Sequence, residues 1–160
     1  MLPDLDANGA PELAILAARR SDRRGVVEIR NLAGEELPRV IWFGAGLTPK
    51  RIAVVGDADA NGVAELAVLA TRVSDDRAVV EVKNGFGPAQ ASALWFMASA
   101  SPLDLVSIGD SDGNSVAEVA VLLARHSDGR GVVEVKNAAG PTNPRQVWAM
   151  AGVRPRAIAA

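Results

Sequence analysis

Residues 56–70, GDADANGVAELAVLA, place Asp57, Asp59 and Glu65 on one short loop, with Asn61 and Gly62 between them. Three carboxylates this close repel one another unless a cation or a set of backbone donors balances them. Two kinds of chemistry fit. Oxygen donors at alternate positions can wrap a hard cation such as calcium. The plainer alternative is a tight Asn-Gly turn whose Asp side chains accept hydrogen bonds from backbone amides. The next turn, SDDR at 74–77, is built with less charge, so crowded acidity is not what a turn requires in this sequence.

The loop occurs three times. Asp4, Asp57 and Asp110 are spaced by 53 residues, and the same step links Glu12, Glu65 and Glu118, and Trp42, Trp95 and Trp148. The chain is one repeat domain, with units at about 1–53, 54–106 and 107–160. A fixed period of this size indicates a propeller, a solenoid or another repeat array.

The elements that carry the loop read as strands. In the second unit RIAVV (51–55) is a β-branched run, AELAVLATRV (64–73) is apolar on both faces, AVVEVKN (78–84) alternates, and ALWFMA (93–98) makes a fourth strand. Turns every ten or so residues interrupt any helical period. Each unit is therefore expected to be a four-stranded antiparallel meander. A small sheet with two apolar faces must stack between others of its kind, which favours the blades of a β-propeller. The alternative is a β-trefoil, also three units of four strands.

Composition narrows the chemistry. There is no cysteine, which excludes disulfides, thiolate zinc sites and cysteine nucleophiles. The three loops hold nine of the nineteen acidic residues, while the seventeen basic ones lie elsewhere without a run dense enough for nucleic acid. No apolar run reaches the roughly 20 residues of a membrane span, and MLPDLDANG lacks the pattern of a secretion signal.

IAVVGDADANGVAELAVLATR resembles the FG-GAP and VCBS class of propeller repeats, the type found in integrin α-chain heads and bacterial surface proteins. The family loop, D-x-D-x-N/D-G-x-x-D/E leading into an apolar strand, is matched by DLDANGAPEL, DADANGVAEL and DSDGNSVAEV. The resemblance covers all three units. It implies a calcium site in each loop, with side chains at the first, third and fifth positions, a backbone carbonyl at the seventh and a closing acid at the ninth. The ligand sets are Asp4, Asp6, Asn8, Ala10 and Glu12; Asp57, Asp59, Asn61, Val63 and Glu65; and Asp110, Asp112, Asn114, Val116 and Glu118. Glu at the ninth position must fold its longer arm back, and Ser115, standing where the other units have glycine, makes the turn harder. The resemblance also implies an extracellular or cell-surface setting.

Other candidates have plainer readings. His126 is the only histidine, and it falls beside a turn where a solvated side chain is expected. Ser21, Ser74 and Ser127 each precede Asp with no recurring histidine, so they read as turn formers and not as parts of a triad. Glu28 with Arg30, Glu81 with Lys83 and Glu134 with Lys136 suggest cross-strand charge pairing. The three Trp residues sit in apolar runs and are expected to pack between sheets, not to stack on sugars.

The expectation is a non-catalytic calcium-binding propeller module that contacts a protein or glycan. The alternative is a structural self-assembling array. Propellers have about four to eight blades, so three units are expected to work as an oligomer or as a piece of something longer. PRAIAA (155–160) matches the first-strand segments PKRIAV (49–54) and PLDLVS (102–107), whereas the chain begins at an acidic loop. Head-to-tail pairing of two chains, giving six blades, follows as the favoured assembly.

Overall fold

β-branched runs of four to ten residues, punctuated by Gly- and Asp-bearing turns, form strands and nothing else among the described residues. The computed structural model describes residue 4 and residues 9–32, 39–87 and 91–160. Among the described residues eleven strands occur in chain order: β1 (Glu12–Ala18), β2 (Gly25–Asn31), β3 (Arg39–Trp42), β4 (Leu47–Gly56), β5 (Glu65–Arg72), β6 (Ala78–Asn84), β7 (Ala91–Trp95), β8 (Ala100–Gly109), β9 (Glu118–Arg125), β10 (Gly131–Asn137) and β11 (Arg145–Met150).

Among the described residues they make three antiparallel sheets, one per 53-residue repeat, β1-β2-β3, β4-β5-β6-β7 and β8-β9-β10-β11. The second and third begin at Leu47 and Ala100, ahead of the expected unit bounds at 54 and 107. The expected meander is therefore present in full in the second and third repeats, and as three strands among the described residues of the first. The fourth strand of the second unit starts at Ala91, two residues before the ALWFMA run, and ends at Trp95. Residues 153–160 belong to no strand, unlike the first-strand segments they match, although the Ile158 amide donates to Asp104 Oδ2 at 3.1 Å.

The sheets stack face to face, and β5 shows why its sequence is apolar throughout. Leu66 and Val68 pack on Val27, Ile29, Ile41 and Phe43 of the first sheet. Ala67 and Leu69, on the opposite face, join Val119, Val121 and Leu123 of the third. Side-chain alternation along a strand sends neighbours to opposite faces, so a sheet between two sheets needs apolar residues at every position. Each fully buried Leu or Val side chain contributes roughly 1.5–3 kcal/mol relative to exposure.

The tryptophans depart from expectation. Trp42 and Trp148 are 39% and 38% exposed, and Trp95 is half-buried. The buried aromatics are their neighbours Phe43 and Phe96, because alternation turns the next residue inward. The Trp rings instead carry guanidinium groups: Arg19 and Arg24 lie 5.0 and 5.5 Å from the Trp42 centroid, and Arg72 and Arg77 lie 4.5 and 5.6 Å from that of Trp95.

The charged residues of the third strands also do something other than pair with each other. Glu81 accepts from the Gly44 amide at 2.6 Å and Lys83 donates to Trp42 O at 2.7 Å, both in the preceding sheet. One unit on, Glu134 accepts from Met97 N at 3.0 Å and Lys136 donates to Trp95 O. Backbone groups at and just beyond the ends of β3 and β7 offer these side chains partners in the neighbouring sheet. Glu28 and Arg30 of the first unit pair with each other along β2, and not across strands as the sequence suggested.

Candidate metal centre

The second and third acidic loops are each aimed by a bulge at the end of the preceding strand. The pairing of β4 with β5 slips between Val54 and Gly56, and that of β8 with β9 slips between Ser107 and Gly109. A bulge bends its strand and redirects the chain. Gly56 and Gly109 then take positive φ, 81° and 66°.

Inside the second loop the backbone is wound around Asp57. Its Oδ1 accepts from Asn61 N at 2.9 Å and its Oδ2 from Gly62 N at 2.9 Å. Asp59 Oδ1 accepts from Asn61 N at 3.2 Å, and Asn61 Oδ1 accepts from Val63 N at 2.8 Å. Gly62 sits at φ 85°. The amide-capping turn of the plainer reading is thus present, yet each carboxylate oxygen has two lone pairs and is not exhausted by one such bond.

The ninth-position acid folds back into the loop. Glu65 is 4% exposed, and its Oε2 accepts from Ala58 N at 2.6 Å. Its Oε1 is buried with no hydrogen-bond partner. One oxygen from each of Asp57, Asp59 and Glu65 lies within 4.8 Å of the other two, the one acidic group so gathered among the described residues. Burial, together with the charges of Asp59 and Asp57 and against the bond from Ala58, pushes the Glu65 carboxyl up to about 7. Beside the cluster is a cavity of about 130 Å³, whose polar lining includes Asp59, Glu65, Asn84 and Ser92.

The third loop repeats the winding. Asp110 Oδ1 accepts from Gly113 N and Asn114 N, and its Oδ2 from Ser115 N at 2.8 Å. These bonds hold the Asp110 carboxyl below its ordinary range, the one from Ser115 foremost. Asn114 Oδ1 accepts from Val116 N at 2.8 Å, as in the second loop. Ser115 adopts φ 67°, so this loop meets the same left-handed turn without glycine.

Its acids are already partnered. Glu118, fully buried, accepts through Oε1 from Arg145 and through Oε2 from both the amide and hydroxyl of Ser111. Asp112 Oδ2 accepts from Asn143 Nδ2 at 2.6 Å. Burial alone would raise the Glu118 carboxyl, but the bonds from Ser111 and Arg145 outweigh it and hold the group low.

In the first loop Asp4 is exposed and its Oδ2 accepts from Gly9 N at 2.7 Å, the counterpart of the Gly62 bond. Glu12 is 1% exposed and Ala10 is half-buried. Asp6 and Asn8 lie outside the described residues.

Buried asparagines support the loops and escaped the sequence reading. Asn61 Nδ2 donates to Asn84 Oδ1 at 3.4 Å, and Asn114 Nδ2 to Asn137 Oδ1 at 3.3 Å. Their signal was the recurrence of Asn31, Asn84 and Asn137 at the 53-residue step.

The remaining candidates stay outside this site. His126 is exposed, as expected, and shares a 2.8 Å hydrogen bond with Ser101 Oγ. The serine-bearing turns are held by the Asp that follows each Ser: Asp22, Asp75 and Asp128 pair with Arg19, Arg72 and Arg125. Comparison with protein-family models, characterised proteins and solved structures found no match for the chain.

Proposed function

We propose that the chain is a calcium-binding repeat module of the β-propeller type, with the second loop as its principal site. One observation carries the reading: Asp57, Asp59 and Glu65 gather their oxygens within 4.8 Å while Glu65 Oε1 is buried without a partner. An orphaned buried carboxylate oxygen is costly, and a cation would supply what it lacks. The donor set is all oxygen, which suits calcium better than zinc or copper. Asn61 and the Val63 carbonyl complete the ligand set that the loop spacing implies. Calcium here fixes loop conformation and adds stability, and the loops contact a protein or glycan. Stacked sheets that keep their hydrogen bonds within each unit favour a propeller over a trefoil.

Thermal melting in calcium and in chelator tests this reading. Calcium is expected to raise the melting temperature, and isothermal titration calorimetry is expected to show saturable binding that Asp57→Asn abolishes. Coincident melting curves together with no calorimetric signal would reduce the loops to turns.

A second reading, self-assembly, is favoured by one feature of the first sheet. Leu13 and Ile15 are 44% and 42% exposed, although their counterparts Leu66 and Val68 are at most 1% exposed beneath a neighbouring sheet. A second copy stacking on this face would bury them, and two chains would give six blades. Sedimentation at micromolar concentration is expected to show the dimer; a stable monomer would defeat this reading.

A further inference from the structure

The three sheets share their pairing at the start of the last strand, before β10 and β11 slip by one residue between Val133 and Glu134, and one position there stands out. Arg39 pairs with Ile29, Ser92 with Val82 and Arg145 with Val135, each near the start of a fourth strand and each 53 residues from the next. In the third unit Arg145 reaches the loop, donating to Glu118 Oε1 and, at 2.7 Å, to Ser111 Oγ. In the second unit the same position holds Ser92, whose short side chain donates to Ala138 O at 3.0 Å. Ser92 lines the cavity of about 130 Å³ that Glu65 and Asp59 also line.

The two sites differ in one further respect. Glu118 has both oxygens bonded, whereas Glu65 keeps Oε1 buried and unpartnered. A guanidinium is a planar donor always charged at physiological pH and fits a buried carboxylate well. The cavity beside Glu65 has room for a cation with a few waters, each occupying about 30 Å³ in the liquid.

We infer that the residue at position 92 or 145 sets how the carboxylate charge of the second or third loop is balanced: arginine supplies the cation from within, and serine leaves the place to an external one. Arg145 makes the third loop independent of metal, and Ser92 makes the second the metal-dependent one. The external cation being calcium rests on the reading proposed above. In the first unit Arg39 donates to Gly87 O at 2.9 Å and lies 5.1 Å from the Phe86 ring centroid, so its role there is partly inter-sheet. The claim therefore concerns the second and third loops.

The exchange of the two residues tests it. Calcium chloride is titrated calorimetrically into chelator-stripped wild type, S92R and R145S, and each is melted in chelator and in calcium. S92R is expected to bind one calcium fewer per chain and to melt about 3 °C or more above wild type in chelator. R145S is expected to bind one more, to melt lower in chelator, and to recover in calcium. S92K, with a shorter reach into the same cavity, serves if S92R does not fold by circular dichroism. Unchanged calcium stoichiometry in both exchanges overturns the inference, as does an S92R or S92K protein that folds but melts no higher in chelator. A wild type that binds no calcium defeats the calcium reading by itself. The inference is then judged in chelator alone: a higher melting temperature in S92R with a lower one in R145S upholds internal charge balance, and any other pattern overturns it.

Discussion

The second and third loops share spacing, winding and a buried ninth-position glutamate, yet they solve the same electrostatic problem in different ways. Around Asp57 and Asp110 the backbone amides are arranged alike, with the fifth residue beyond each donating to Oδ2 at 2.9 and 2.8 Å. Around Glu65 and Glu118 they diverge. Glu118 meets Arg145 and Ser111, and its carboxyl is held low. Glu65, desolvated by burial, meets two other carboxylates and only the amides of Ala58 and Asp59, and its carboxyl rises to about 7. The lesson is that a loop motif specifies where acids gather, while the residue facing it from the fourth strand specifies what those acids need.

The largest expected effect is in the pH dependence of stability in chelator. Glu65 is raised above its ordinary 4.5, so its contribution is full below that pH and is lost as pH rises through about 7. The loss is on the order of 3 kcal/mol at about 1.36 kcal/mol per pH unit. Glu118 has the opposite sign: its contribution is present above the ordinary carboxylate range and is lost on acidification. Denaturant melts from pH 4 to 8 should therefore fall toward neutrality in wild type, and Glu65→Gln should flatten that fall. A flat wild-type profile would show that the two glutamates are not so different.

Calcium should act next in size. A ligand at 100 times its Kd stabilises the folded state by about 2.7 kcal/mol. The effect should vanish in Glu65→Gln and persist in Glu118→Gln, as read by the calcium-dependent shift in Tm. Loss of the response in Glu118→Gln alone would transfer the site to the third loop.

Glu118→Gln should itself cost about 2 kcal/mol in chelator. Breaking a fully buried ion pair costs about 3–5 kcal/mol, and Arg145, with a side chain 35% exposed, can turn partly to water. Glu65→Gln in the same buffer should be neutral or stabilising at pH 8. Equal losses in the two variants, measured by urea unfolding, would erase the contrast.

The smallest effect lies in the turn itself. Gly62→Ala places a β-carbon at φ 85° and should cost about 1 kcal/mol. Ser115→Gly relieves a left-handed serine at φ 67°, but the gain is offset by unfolded-state entropy and should stay below about 1 kcal/mol. Urea midpoints of the two variants would check that the loops share one backbone conformation.

Sequence alone determined a good deal of this protein. The 53-residue step, the strands and the loop positions were legible because period-2 apolar runs, Asx-Gly turns and Arg-Asp turns act within a few residues of one another. AVVEVKN at 78–84 coincides with β6 to the residue. The inward fold of Glu65 was expected from the longer arm of a glutamate at the ninth loop position. What spans sheets could not be read locally. The Glu81 and Lys83 bonds to Gly44 and Trp42 join positions 37 and 41 residues apart in neighbouring sheets, where the sequence suggested charge pairing across strands. Leu13 and Leu66 occupy the same place in near-identical strands, yet one is 44% exposed and the other fully buried. Arg145 and Glu118 lie 27 residues apart in sequence and meet because β9, β10 and β11 lie side by side in one sheet. Burial and charge balance depend on which surface faces which, and stacking the sheets decided that.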